Sequence, residues 1–155
     1  MPSTRELEVR RVLFATDFSP ASLSGLPPAI SIARDRKAQL ALAHIISVVP
    51  YSEVAPQWYL ASDVVELQGK ARLSSLEQLQ RLIPPEENLP QEPDFLVTFG
   101  FVPEGIVKTA GEIKADLIVM GVNSSSAARA ASHLYWSIAH YVVCESMCPV
   151  LTIRG

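Results

Sequence analysis

The sequence predicts an α/β domain with a doubly wound, five-stranded parallel sheet and helices on both faces. Short apolar segments alternate with amphipathic segments along the chain, in the order β-α-β-α-β-α-β-α-β. The second apolar segment, residues 39–49, lacks the polar and apolar alternation of a half-exposed strand, which is typical of a strand covered on both faces. Strands that alternate with helices form right-handed crossovers, which place helices on both sides of a parallel sheet.

The first strand and the helix after it are joined by a short polar turn. Residues 12–15 are apolar, and Ser19 followed by Pro20 is typical of a helix start, with serine as the N-cap and proline at the first helical position. Pro27 and Pro28 remove two amide donors inside this helix, so we expect it to kink or to start late. The residues expected to point inward are Leu23, Leu26, Ala29, Ile30 and Ala33.

The remaining elements continue the alternation. A loop at 49–60 precedes a long helix over Asp63 to Ile83, whose inward stripe is expected to include Leu67 and Leu79. A proline-rich surface connection then leads to the second half of the chain. The later elements are a strand at 95–99, a helix at 103–113, a strand at 116–121, a helix around Ile138 and a last strand at 150–153.

Length and composition favour a single domain spanning residues 1–155. The chain is 48% hydrophobic and 19% charged with a mean hydropathy of +0.21, which is enough to bury a core without disulfides or metals. The net charge of −3 gives no basic surface for nucleic acid or an anionic membrane, and no apolar run reaches the roughly 18 residues of a membrane span. The charged N-terminal segment does not look like a signal sequence, so we expect a cytoplasmic protein.

The cysteines and histidines do not indicate a metal or nucleophilic site. Cys144 and Cys148 have three residues between them and no zinc-ligand cluster nearby, so we expect free, buried thiols, with a redox pair as the alternative. His44, His133 and His140 have no mutual spacing for metal binding or catalysis. His44, in the second strand, is expected to be a hydrogen-bonded core histidine.

Ligands of such sheets lie beyond the carboxyl ends of the strands, where the strand order reverses. This rule directs attention to Asp17, residues 44–47, Gly100 and residues 121–126. Asp17 has two interpretations at this stage: its carboxylate binds a base or ribose, or it organises the turn through local hydrogen bonds.

Segments in the first half and at the end of the chain together resemble the universal stress protein family. They are VLFATDFS at 12–19, AHI at 43–45, and DLIVMG at 116–121 followed by CPVL at 148–151. The resemblance covers essentially the whole chain and implies an adenine nucleotide alpha hydrolase-like fold with strand order 3-2-1-4-5. It also implies that Asp17 contacts the base and that the backbone of Ile45 lines an adenine pocket.

The phosphate-binding loop of the family is altered in this chain. Nucleotide-binding members have the pattern G-x2-G-x9-G-[S/T] after the fourth strand, where glycines let the backbone approach the phosphates and a helix N-terminus faces them. Aligned on Gly121, the loop glycines become Ser124 and Ala127, and the last glycine becomes Trp136. Trp136 is expected to fill the phosphate pocket, with stacking on a ligand or packing in a dimer as alternatives.

The binding residues that the resemblance implies come from the ends of the first, second and fourth strands and from the last helix. They are Thr16, Asp17, Ile45, Met120, Gly121, Asn123, Ser124, Ser137 and Ile138.

Three functions follow from the resemblance and the altered loop. The first is a non-enzymatic stress-response protein that pairs as a homodimer through its last strand, contacts an unidentified protein partner, and binds ATP weakly or not at all. The second is a switch that binds ATP or AMP. The third, a slow ATPase or self-phosphorylating protein, is disfavoured because no general base, metal-ligand pair or lysine stands near the loop.

Overall fold

Five parallel strands form one sheet in the order β3-β2-β1-β4-β5, which confirms the predicted fold class and strand order. The computed structural model describes residues 6–48, 61–123 and 133–155, with the side chains of residues 61 and 133–137 outside the description. The elements are β1 (Arg11–Ala15), α1 (Pro20–Leu23), α2 (Leu26–Arg36), β2 (Gln39–Ser47), α3 (Ala61–Arg81), β3 (Asp94–Gly100), α4 (Val102–Glu112), β4 (Leu117–Val122), α5 (His133–Glu145) and β5 (Val150–Arg154).

The sheet separates two hydrophobic cores. On one face, Val12 and Phe14 of β1 pack in a cluster with Ala33 of α2 and Leu79 of α3. On the other face, the alternate β1 residue Leu13 joins a cluster that includes side chains of α4 and α5, among them Ile106, Ala110 and Val142. Both faces of the central strands are therefore covered, as the unbroken apolar segments indicate.

Of the two effects expected of Pro27 and Pro28, a kink or a late helix start, the structure shows the late start. Ser19 caps α1, whose Ser22 amide donates to the Ser19 hydroxyl over 3.2 Å. α1 is a single turn, and α2 restarts at Leu26, so that Pro27 and Pro28 lie in the first turn of a new helix. Amides of a first helical turn have no partner within the helix, so the prolines remove no hydrogen bond there.

The prediction that Leu67 points inward is wrong, since its side chain is 53% exposed. α3 has 21 residues and a length of roughly 31 Å, whereas its neighbour β3 has 7 residues and spans about 23 Å. The C-terminal half of α3 packs on the sheet through residues such as Leu79, and the N-terminal half extends past it. Within the described residues, no helix is both long and apolar enough to cross a membrane.

The expectation that both thiols are buried is also wrong. Both cysteines are free, but Cys144 is exposed near the end of α5, and Cys148 is half-buried in the turn before β5. The C-terminal turns of α5 alternate between buried and exposed positions, with Val142 in the core and Val143 exposed. Cys144 lies on the exposed side of this helix, which the sequence pattern around it does not reveal.

A carboxylate joins the starts of the two central strands. Asp116, which precedes β4, accepts hydrogen bonds from the amides of Arg10 and Arg11 over 2.8 and 2.9 Å. The Asp116 amide in turn donates to the Arg11 carbonyl over 2.8 Å. β1 and β4 are thereby held in register from their first residues, which sets the relative position of their far ends.

The end of β4 lies in close contact with the turn that contains α1. A Cβ atom added to Gly121 would be 2.1 Å from the Ala21 carbonyl oxygen and 2.4 Å from that of Ser22. A Cβ added to Gly25 would be 2.8 Å from the Gly121 amide nitrogen. Both contacts are with backbone, which cannot rotate away as a side chain can, so both positions require glycine.

Replacement of Gly121 by alanine is expected to lower the free energy of unfolding by about 1–3 kcal/mol, because the added methyl group forces α1 away from β4. Urea denaturation of the purified variant measures the change. Gly69→Ala is the matched control, since nothing lies within 4 Å of its added Cβ in α3, and it is expected to stabilise by up to about 1 kcal/mol. Equal effects of the two substitutions would contradict the proposed contact.

Candidate functional site

A cleft opens at the carboxyl ends of β1, β2 and β4. Its volume is about 90 Å³, and it is lined by Ala15 at the end of β1, Ala43 in the middle of β2 and Met120 near the end of β4. The chain leaves β1 toward β2 and β3 on one side, and β4 lies on the other side, so the strand order reverses between β1 and β4. The cleft therefore occupies the position at which open α/β sheets bind ligands.

The structure brings seven of the nine predicted site residues together around this cleft. They are Thr16, Asp17, Ile45, Met120, Gly121, Asn123 and Ile138. Ser124 lies outside the described residues, as do Ala127 and the loop serines, and for Ser137 and Trp136 only the backbone of α5 is described. The participation of all nine residues in ligand binding, and the pocket-filling role of Trp136, stay predictions.

A chain of hydrogen bonds runs through the buried side of the β1–α1 turn. The Phe18 amide donates to the Thr16 hydroxyl over 2.9 Å, and the Thr16 and Ser22 hydroxyls are 2.7 Å apart. The Ser22 hydroxyl donates to the Ser19 carbonyl over 3.0 Å, and it shares the same proton with the Asp17 carboxylate. Because each hydroxyl has one proton, the Thr16 hydroxyl supplies the proton between the two oxygens. Both hydroxyls are buried and satisfied, so the turn is held in one geometry.

Asp17 is the exposed carboxylate at the mouth of the cleft. Its Oδ1 accepts a hydrogen bond from the Ser19 amide over 2.9 Å. Burial is the largest single influence and raises the pKa of Asp17, but hydrogen bonds from the Ser19 hydroxyl and amide, from the Ser22 hydroxyl and from its own backbone together outweigh it. The pKa of Asp17 therefore lies below its ordinary value of 3.8, and the group is ionised at neutral pH.

The local hydrogen bond confirms that Asp17 organises its turn. This arrangement is also compatible with binding of a base or ribose, since an ionised carboxylate has lone pairs for more than one donor. Asp17 can accept further hydrogen bonds from a ligand amine or hydroxyl at the cleft mouth.

His44 supports the same turn from β2. Its Nδ1 is 2.8 Å from the Thr16 carbonyl oxygen, and its ring is 4.7 Å from the ring of Phe18. The carbonyl only accepts, so Nδ1 carries the proton. Phe18 has a φ angle of 65°, a left-handed conformation that is uncommon for a bulky residue and that the contact with the His44 ring and the Thr16 hydrogen bond hold in place. The expectation of a hydrogen-bonded histidine is confirmed.

The wall opposite the turn is apolar and comes from helices that pack on the second face of the sheet. Val102 and Ile106 of α4 and Ile138 and Ala139 of α5 all line the cleft. Among the described lining residues, Asp17 is the only charged side chain. An acidic, hydroxyl-rich side therefore faces an apolar side.

The sequence interpretation missed Ser22, Val102 and Ile106 as parts of this site, and it recognised Ser19 only as a helix cap. Ser22 lacks any pattern of its own, because its position below Asp17 depends on the one-turn length of α1. Val102 and Ile106 begin the inward stripe of α4, and the signal that could have found them is the location of this helix start after a strand end.

The sequence model of the universal stress protein family matches residues 8–154. The chain belongs to this family. A universal stress protein of Thermus aquaticus is 31% identical over 145 residues, which cover 94% of this chain and 98% of that protein. A universal stress protein of Methanocaldococcus jannaschii is 26% identical over 147 residues, which cover 94% of this chain and 82% of that protein.

Solved structures of universal stress proteins have the same fold. One from Lactobacillus plantarum has a TM-score of 0.69 at 21% identity, over 95% of this chain and 99% of that chain. A universal stress protein in complex with cAMP has a TM-score of 0.65 at 22% identity, over 94% and 97%. A family protein from Arabidopsis thaliana with AMP bound has a TM-score of 0.51 at 16% identity, over 93% and 90%.

Replacement of Ser22 by alanine is expected to raise the pKa of Asp17 toward its ordinary value, because one hydrogen bond to the ionised carboxylate is lost. The Thr16 hydroxyl proton also loses its acceptor, which is expected to cost about 1–3 kcal/mol of unfolding free energy. An NMR titration of the Asp17 side-chain carboxyl carbon measures the first effect, and urea denaturation the second.

The pH dependence follows from the direction of the shift. A carboxylate with a lowered folded pKa stabilises the fold above its ordinary value of 3.8, and this contribution is lost as the pH falls through the lower folded value. The Ser22→Ala variant is therefore expected to lose part of this contribution. Ser31→Ala in α2, whose hydroxyl contacts Asp35, is the control and is expected to leave the Asp17 titration unchanged. An unchanged titration in Ser22→Ala would refute the contact.

Proposed function

We propose that the chain is a non-enzymatic regulatory protein of the universal stress protein family, acting in the cytoplasm, whose cleft binds the adenosine part of an adenine nucleotide in preference to a triphosphate. The observation that carries this proposal is the charge of the cleft. Asp17 is ionised, and the described lining residues include no lysine, arginine or histidine. A triphosphate needs compensating positive charge or backbone amides, whereas a nucleoside does not.

The two sides of the cleft suit the parts of a nucleoside. The apolar wall of Ile45, Ile106 and Ile138 offers the dry surface that a purine ring requires. The Asp17 carboxylate offers acceptors for the amine of adenine or for ribose hydroxyls. Family structures with cAMP and with AMP bound support an adenosine monophosphate as the ligand class.

The size of the cleft also favours a part of a nucleotide. Its volume of about 90 Å³ is well below the roughly 300–1,000 Å³ of typical small-molecule sites. A space of this size suits the ring system of a nucleotide. The replaced glycines of the phosphate loop favour the same conclusion.

The acid–base properties of the lining support a regulatory role. A general base works best when its pKa lies near the operating pH. The pKa of Asp17 is lowered, and its hydrogen bonds from Ser19 and Ser22 stabilise the ionised form, so it is a weak base. Hydroxyls and an amide are the other polar side chains among the described lining residues, and they bind and orient ligands.

Assembly through the last strand is the second part of the proposal. β5 pairs with β4 on one side, and in the described part of the chain no strand pairs with its other edge. Its side chains are half-buried or exposed. A free edge of this kind pairs readily with a second copy, which would extend the sheet across a homodimer.

Binding is tested by thermal unfolding and calorimetry with adenosine, AMP and ATP plus magnesium at equal concentrations. Adenosine and AMP are expected to raise Tm more than ATP, since at equal concentration the ligand with the lower Kd for the native state stabilises it more. Asp17→Asn is expected to weaken adenosine binding by about tenfold, because a charged acceptor is lost. Asp35→Asn on the exposed surface of α2 is the matched control.

Each outcome bears on a different part of this proposal. Stabilisation by ATP equal to that by adenosine would contradict the proposed preference. No stabilisation by any of the ligands would refute adenosine binding. Release of inorganic phosphate from ATP by the purified protein would refute the non-enzymatic role.

The dimer is tested by light scattering after size exclusion. Thr152 is the exposed middle residue of β5, so in an antiparallel pair of β5 strands the two copies of Thr152 lie close to each other. Thr152→Glu is expected to convert dimer to monomer through repulsion of like charges. Ser74→Glu on the exposed side of α3 is the control. A monomeric native protein would refute the assembly.

A further inference from the structure

Two proton-active side chains lie one turn apart on α5, outside the adenosine cleft. The Cys144 Sγ atom is 3.7 Å from Nε2 and 4.0 Å from Nδ1 of His140. Both residues are exposed. In the part of the chain that the structure describes, His140 is the one titratable group in contact with the Cys144 thiol.

The pair places a thiol beside a group that can accept its proton. The thiolate is the nucleophile in thiol chemistry, and an adjacent imidazole increases its formation by accepting the proton. The position of Cys144 in the last turn of α5 disfavours a thiolate, because the helix end has partial negative charge. When His140 accepts the thiol proton, the positive charge of its ring lies beside the sulfur and offsets that partial charge.

The second cysteine provides an internal comparison. Cys148 is half-buried and packs against the core formed with α4 and α5. Burial, and to a smaller extent the charge of Asp116, raise the pKa of the Cys148 thiol. Cys148 is therefore less accessible than Cys144 and less ionised than an ordinary thiol at neutral pH, and it has no imidazole among its described contacts.

We propose that Cys144 is a site of reversible modification by small-molecule disulfides, with His140 as its proton acceptor. His140 Nε2 accepts the thiol proton, and the Cys144 thiolate attacks one sulfur of the incoming disulfide. A new sulfur–sulfur bond forms as the old one breaks. The departing thiolate takes the proton from His140, so the disulfide itself is the oxidant and the balance is complete.

The proposed modification is separable from ligand binding. α5 contributes Ile138 and Ala139 to the cleft, and Cys144 lies six positions beyond Ile138, or roughly 9 Å along the helix. His140 and Cys144 are exposed, whereas Ile138 is half-buried at the cleft. The inference therefore stands without the proposed function.

The test uses the full chain in two single-thiol forms, Cys148→Ser and Cys144→Ser, with oxidised glutathione as the probe. Intact mass measured over time is expected to show one glutathione added to Cys144 at least about tenfold faster than to Cys148. A faster or equal reaction at Cys148 would overturn the proposal.

The role of His140 is tested in the Cys148→Ser form. His140→Gln is expected to slow the reaction about three- to tenfold near neutral pH and to shift its rate profile to higher pH, because glutamine accepts no proton. Val143→Ala, at an exposed neighbouring position, is the matched control and is expected to leave the profile unchanged. Circular dichroism confirms that each variant is folded. An unchanged profile in His140→Gln would refute the pairing.

Discussion

The backbone contact between the α1 turn and the end of β4 is the constraint on which the site depends. The Ala21 and Ser22 carbonyls lie so close to Gly121 that no side chain fits between them. β1 and β4 are adjacent in the sheet, and the strand order reverses between them. The contact therefore places the turn after β1 over the end of β4, at this reversal. A wider separation of α1 from β4 would open the cleft, which both elements line.

The turn that makes this contact also sets the electrostatics of the cleft. With α1 held against β4, the hydroxyls of Ser19 and Ser22 and the Ser19 amide converge on Asp17. Their hydrogen bonds outweigh the effect of burial on its pKa, so the carboxylate is ionised and oriented before a ligand arrives. An oriented acceptor loses little entropy on binding, which favours recognition of a small polar edge such as that of adenine.

Sequence and structure agree closely on the parts of the fold that depend on local pattern. The apolar segments of β1, β2 and β4 specify buried parallel strands, and Ser19-Pro20 marks a helix start without reference to the rest of the chain. Asp17, Ile45 and Gly121 could be placed at the site because the carboxyl ends of parallel strands meet at one edge. The apolar pattern of α3 could not show that Leu67 is exposed, because the length of β3 decides how much of α3 extends past the sheet.

The sequence by itself determined the α/β class, the order of the elements and the strand ends at which the cleft lies, since periodicity and helix capping are properties of neighbouring residues. Only the tertiary structure decided which side chains share that edge and which thiol is exposed. The one-turn helix α1 packs on β4 at Gly121, and Cys144 is exposed because α5 packs on the sheet through other residues such as Val142. These outcomes depend on contacts between distant segments, and their distances and directions are fixed only when the sheet and its helices pack together.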